Sequence, residues 1–442
     1  MISKSLKTGL FSLFASLSLA TVFSHMVLAD DAKHPTEIER GEYLAYAGDC
    51  MACHTGNPDQ PYAGGHGLAS PLGTIYATNI TPDKTYGVGD YTIADFEQAV
   101  RPGISKNHGP LYPAMPFVSY AKMSDEDIAA LYAYFMNAVP PIAEPNLPTN
   151  IEFPLNMRFP LYIWNSVIAD KSAFVPNPEK SDEWNRGAYL VQGAAHCGTC
   201  HTPRGLALNE QGTTEANDLF LSGAQLGGWY APNLRQMTMS DSELFTLLTE
   251  GKNETHAFAG PMADVTSFSL RHLTNEDVES MIVYLRDIQL LAMDFPKTGE
   301  SYNPQTEGYI LYQDFCSTCH GINGEGVKSV APTLRDRGNG EQGRSLNVAN
   351  VLLLGAKTAH REDQVAYSMP SYQEELSNEQ IANVVNFIMN NKEWNNHNAP
   401  ITVQDVADLK DQKQAIRGWW VIVGAIIVIS ILGQLLFRRR KK

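Results

Sequence analysis

The chain has 442 residues, a formal net charge of −15, 43% hydrophobic and 18% charged residues. That length allows several domains of ordinary size. The acidic balance excludes nucleic-acid binding, which needs a surplus of Lys and Arg to meet phosphate.

The N-terminus reads as a secretory leader over residues 1–29. Lys4 and Lys7 precede the apolar run Gly9 to Phe23, and Val27-Leu28-Ala29 offers small residues for cleavage. Beyond it the six cysteines fall into three pentapeptides: Cys50-Met51-Ala52-Cys53-His54, Cys197-Gly198-Thr199-Cys200-His201 and Cys316-Ser317-Thr318-Cys319-His320. Cys-x-x-Cys-His is the attachment signature of c-type haem. Cys50, Cys53, Cys197, Cys200, Cys316 and Cys319 are expected to form thioethers, and His54, His201 and His320 to ligate iron. A zinc ribbon would need two cysteine pairs close together, and a redox Cys-x-x-Cys does not require the following His. Three covalently bound haem c groups are therefore expected, with no cysteine left for a disulfide.

Around each pentapeptide the same plan recurs. An opening helix pattern comes first: Arg40-Gly41-Glu42-Tyr43-Leu44, Arg186-Gly187-Ala188-Tyr189-Leu190 and Gly308-Tyr309-Ile310-Leu311. Its Gly would let a second helix cross closely. A closing amphipathic helix follows, with caps Ser124-x-x-Asp127, Thr274-x-x-Asp277 and Ser377-x-x-Gln380. Between them lies another helix pattern, starting near Thr92, Ser240 and Ser345. The acidic residues in the first turn of the closing helices complement the helix dipole and carry no expected catalysis.

A six-coordinate haem needs a second axial ligand. Met115, Met262 and Met369 lie beside prolines shortly before the closing helices, read as loops. They stand 61, 61 and 49 residues after His54, His201 and His320. They are the expected iron ligands. Met123, Met136 and Met389 read as core, and His108 and His256, either of which could ligate iron, read rather as exposed loop residues. A ligating His donates its other N–H to an acceptor. The carbonyls of Pro232 and Pro332 fit that role, whereas Thr78 breaks the pattern in the first copy and suggests an inequivalent site.

The segmentation is residues 37–138, 181–290 and 303–392 as three domains, with 139–180 an extended Pro-rich linker. That linker carries Met157, Phe159, Leu161, Tyr162 and Trp164, which either pack between the domains or present a docking surface. Residues 393–417 read as a polar stalk. Residues 418–437 lack charge and precede five cations, so they read as a transmembrane helix whose basic end is cytoplasmic. The expected placement is thus the inner membrane, with the haem domains in the periplasm.

The opening-helix Gly, the pentapeptide, the Pro-flanked Met and the closing helix together resemble class I cytochrome c. The resemblance implies an all-α fold of three tandem cytochrome c domains plus the C-terminal membrane helix. Gly73-Thr74-Ile75-Tyr76, Thr78-Asn79-Ile80-Thr81-Pro82-Asp83 and Leu111-Tyr112-Pro113-Ala114-Met115-Pro116 sharpen it. The chain is similar to the membrane-bound three-haem cytochrome c subunits of periplasmic dehydrogenases. That likeness implies a separate catalytic subunit, a quinoprotein, flavoprotein or molybdenum protein, which oxidises the substrate, and electron delivery to ubiquinone. A free-standing cytochrome donating to a terminal oxidase or reductase is the alternative. A haem enzyme such as a peroxidase fits less well, because each copy offers a Met to close the iron.

Overall fold

The computed structural model describes residues 35–410, apart from 71, 154–155, 254, 291–304, 329, 336–343, 359–367, 395 and 397. The described residues from Glu37 onward form one compact unit. The leader at 1–29 and the segment at 418–437 lie outside the described residues.

Three helix pairs organise the unit. Glu37–Ala47 packs on Asp125–Asn137, Asp182–Tyr189 on Asn275–Asp287, and Glu307–Phe315 on Asn378–Met389. Glycine makes each crossing possible. A Cβ on Gly41 would stand 1.9 Å from the Ala130 carbonyl oxygen, one on Gly187 1.9 Å from that of Ser280, and one on Gly308 2.3 Å from that of Asn383. Any side chain there would push the helices apart. The closing helices start where expected, with Ser124, Thr274 and Ser377 each accepting from the backbone N–H three residues on. The middle helices are Ile93–Val100, capped by Thr92, Asp241–Glu250, capped by Ser240, and Arg344–Leu354.

The all-α expectation is corrected on two counts. Short antiparallel sheets are present: Gly67–Ser70, Gly73–Tyr76 and Asn150–Ile151 form three strands, and two-stranded pairs join Ile104–Ser105 to Gly109–Pro110, Ala224–Leu226 to Trp229–Ala231, and Ala356–Lys357 to Ser368–Met369. Runs of two to four residues are too short for periodicity to reveal. Moreover, no described helix is long and apolar enough to cross a membrane, so the transmembrane helix forms no part of the described fold.

The first two helix pairs share one hydrophobic core, running from Leu44 through Leu131 and Leu190 to Leu285, while the third has a core of its own. Polar contacts exchanged between the first two reinforce the shared core. Arg40 donates to Asp127 of its own pair at 2.7 Å, and Tyr189 of the second pair donates to that same carboxylate. In mirror fashion Arg186 donates to Asp277 at 2.7 Å, and Tyr43 of the first pair reaches Asp277 at 2.5 Å. The two tyrosine oxygens then accept from the backbone N–H of Ser124 and Thr274, at 3.0 and 3.3 Å.

Two segments differ from expectation. The described residues of 393–410 are packed and not a stalk: Trp394, Ile401 and Val406 are buried in the third core, and the helix Val403–Lys410 packs on Asn378–Met389. Within 139–180, the residues Phe159–Val167 form a helix rather than extended chain.

Candidate haem-binding site

One helical turn suffices to gather each pentapeptide's chemistry. In the helices Cys50–His54 and Cys197–His201 the two thiols lie at i and i+3 and the His at i+4, hence on one face. Each turn is entered through a left-handed residue that is not glycine, Asp49 (φ 50°) or His196 (φ 39°). Such backbone is uncommon and redirects the chain sharply. The third turn is entered differently, through Cys316 at φ −115° ahead of the helix Ser317–His320.

All three histidine rings are oriented the same way. His54 Nδ1 donates to the Thr78 carbonyl at 2.6 Å, His201 Nδ1 to that of Pro232 at 2.7 Å, and His320 Nδ1 to that of Pro332 at 3.0 Å. Burial pushes each ring below its ordinary pKa, outweighing the carbonyl, so the imidazole is neutral and its Nε2 lone pair is free to bind metal. Thr78 does not break the pattern. The acceptor is a backbone oxygen, which any residue supplies.

Burial likewise pushes the thiols of Cys50, Cys53, Cys197 and Cys316 up to about 12 and that of Cys200 to about 11. None of the six cysteines is in a disulfide. Neutral, buried thiols disfavour a thiolate metal site.

The three motifs open onto one continuous cavity of about 2580 Å³. Pockets for one small ligand hold roughly 300–1,000 Å³, so this space accommodates more than one large group. Cys50, Cys53, His54, Cys197, Cys200, His201, Cys316, Cys319 and His320 line it, together with Met115, Met262 and Met369. Each Met is half-buried. Only Met115 lies in a turn. Met262 is in the first turn of the helix Pro261–Phe268, and Met369 is in a strand. Of the rivals, Met123 and Met389 are core residues, at 2% and 1% exposure.

The wall also holds polar groups that the sequence reading did not single out. Asp49 is buried beside Cys50 with one carboxylate oxygen unpartnered, and burial together with Asp264 pushes its pKa up to about 8. His196 is pushed down to about 4 by burial, and its ring meets Tyr120 edge-on at 5.7 Å. Tyr120 in turn donates to the Gly48 carbonyl at 2.6 Å. The apolar wall, buried thiols and Nδ1-anchored histidines fit covalently held haem, which would supply an iron that accepts and releases one electron.

A cytochrome c model matches residues 38–138 and 305–392, which contain the first and third pentapeptides. The chain is 41% identical to the gluconate 2-dehydrogenase cytochrome c subunit of Pantoea cypripedii, over 89% of this chain and 94% of that one. It is 38% identical to the cytochrome c subunit of the quinone alcohol dehydrogenase of Gluconacetobacter polyoxogenes, over 92% and 90%. With the fructose dehydrogenase cytochrome subunit of Gluconobacter japonicus the identity is 34%, over 92% of each. The fold and site are those of a cytochrome c. The chain belongs to the cytochrome c subunits of dehydrogenases, and it is an electron-transfer haem subunit.

Proposed function

We propose that this chain carries three haem c groups and passes electrons singly from a separate catalytic subunit to ubiquinone, on the periplasmic side of the inner membrane. Cys50 and Cys53, Cys197 and Cys200, and Cys316 and Cys319 hold the haems. His54 with Met115, His201 with Met262, and His320 with Met369 ligate the irons. The observation that carries this reading is the threefold repetition of one His-to-carbonyl geometry on a single cavity wall.

The chain's own residues prepare each site. Carbonyls at Thr78, Pro232 and Pro332 fix the ring plane and keep a proton on Nδ1, which leaves Nε2 basic. With haem bound, Met115, Met262 and Met369 would supply the second iron ligand, which would favour electron transfer over binding of an outside ligand. The names of the relatives, which include a quinone alcohol dehydrogenase, support a quinone acceptor.

The test is stoichiometry and dependence. Purified protein is expected to contain three haems per chain and to be reduced by substrate only when its catalytic subunit is present. Two haems per chain, or reduction of this chain alone by an alcohol, aldehyde or sugar acid, refutes the proposal.

A further inference from the structure

Among the described residues, several large apolar side chains are exposed together on the helix Phe159–Val167 and its approach. Phe153 and Val167 are 77% exposed, Phe159 72%, Ile163 56%, Tyr162 48% and Met157 47%. No charged side chain lies between Arg158 and Asp170, in a chain of net charge −15.

The helix is firmly seated on its other side. Trp164 Nε1 donates to the Ala207 carbonyl at 2.6 Å, and its ring meets Phe117 edge-on at 6.1 Å. Asn165, 3% exposed, donates to the Pro102 carbonyl at 2.5 Å. Arg158 donates to the Pro110 carbonyl at 2.9 Å and lies over the Tyr112 ring at 4.8 Å. Beyond the helix, Thr213 donates to Asp170 at 2.6 Å. These bonds hold the apolar face outward as a preformed surface.

We infer that this face is the docking surface for the catalytic dehydrogenase subunit, beside the first haem site. The inference rests on the proposed function, which supplies the partner. Aromatic and Met side chains with charge depleted are the composition of a subunit-interface core. A helix lying in a bilayer instead needs free Lys and Arg along its polar edge. Here Arg158 is engaged by Pro110 and Tyr112, and Lys171 donates to Asn165 at 2.7 Å. The surface is continuous with the first site, since Arg158, Tyr112 and Met115 all line the haem cavity. A partner seated here lies against the wall of that site, at the loop carrying Met115.

The experiment co-expresses the full chain, tagged, with a catalytic dehydrogenase subunit from the same genome, as wild type and as F159D/I163D/V167D. The altered side chains are exposed, so haem content and the reduced spectrum are expected to stay as in wild type. Copurification of the catalytic subunit is expected to fall about tenfold or more, as for loss of interface anchors. Unchanged copurification overturns the inference. So does a variant that keeps the subunit but loses sedimentation with phosphatidylcholine vesicles, which assigns the face to lipid. Failure of the wild-type chain to copurify with its catalytic subunit overturns the proposed function, and this inference with it. If the aspartates reduce haem loading, F159S/V167S replaces them, with a smaller loss of copurification expected and an unchanged yield again refuting the inference.

Discussion

At His54, His201 and His320 two influences act on each ring: burial, which removes its charge, and a carbonyl, which fixes its tautomer. The iron's other ligand then sets the potential. Axial ligands span roughly 0.8 V across haem proteins, so Met115→His is expected to lower one potential by a measurable part of that range. Redox titration of the holoprotein checks it, and three unmoved potentials refute Met115 as a ligand. The pentapeptides were legible because their chemistry is local. Thr78 departs from expectation for a related reason: the hydrogen bond needs a carbonyl at the right place, and side-chain identity says little about where a backbone oxygen points. Asp49 and His196 escaped notice because a left-handed backbone at a residue other than glycine carries no strong local signal.

Among the elements, the opening and closing helices form the strongest repeated unit, and the Tyr43–Asp277 and Tyr189–Asp127 bonds tie two such units together. Hydrogen bonds to charged groups contribute about 1.5–3 kcal/mol each. Tyr43→Phe and Tyr189→Phe are each expected to destabilise the holoprotein by about that amount in thermal unfolding, without loss of haem. The effect has a pH sign. Burial opposes the charge on Asp277, but hydrogen bonds from Arg186 and Tyr43 overcome it and hold the carboxyl below its ordinary value. A carboxyl depressed in the folded state stabilises fully above its unfolded pKa, about 3.9. That stabilisation is lost as pH falls through the lower folded value. In Asp277→Asn, the fall in stability on acidification below about pH 4 is expected to be shallower than in wild type. Both Arg-Gly-x-Tyr stretches were visible as repeats. Their exchange of partners was not, because Tyr43 and Asp277 are 234 residues apart.

The whole molecule is organised as two plus one. The first two helix pairs share a core, whereas the third meets the second through polar contacts of its middle helix. Asn347 accepts from the Tyr230 backbone N–H at 2.7 Å and donates to its carbonyl at 2.9 Å, and Asn350 donates to the Gly228 carbonyl at 2.5 Å. Removing such bonds leaves backbone groups unpaired at roughly 1–3 kcal/mol apiece. Asn347→Ala with Asn350→Ala is expected to loosen the third unit, so that calorimetry resolves two unfolding transitions. A single transition at the wild-type temperature shows that the junction lies elsewhere.

Local chemistry was written in the sequence alone. Two thiols and a His on one turn, a glycine where helices touch and a cap before each closing helix all depend on neighbours within a few residues. The tertiary structure decided what depends on distant partners. It joined the first two cores, folded residues 393–410 onto the third and brought three motifs to one cavity. It also turned one face of the helix Phe159–Val167 inward and left the other bare. Burial is a property of the whole packed chain, so no local pattern could say which of those apolar side chains would find a partner inside it.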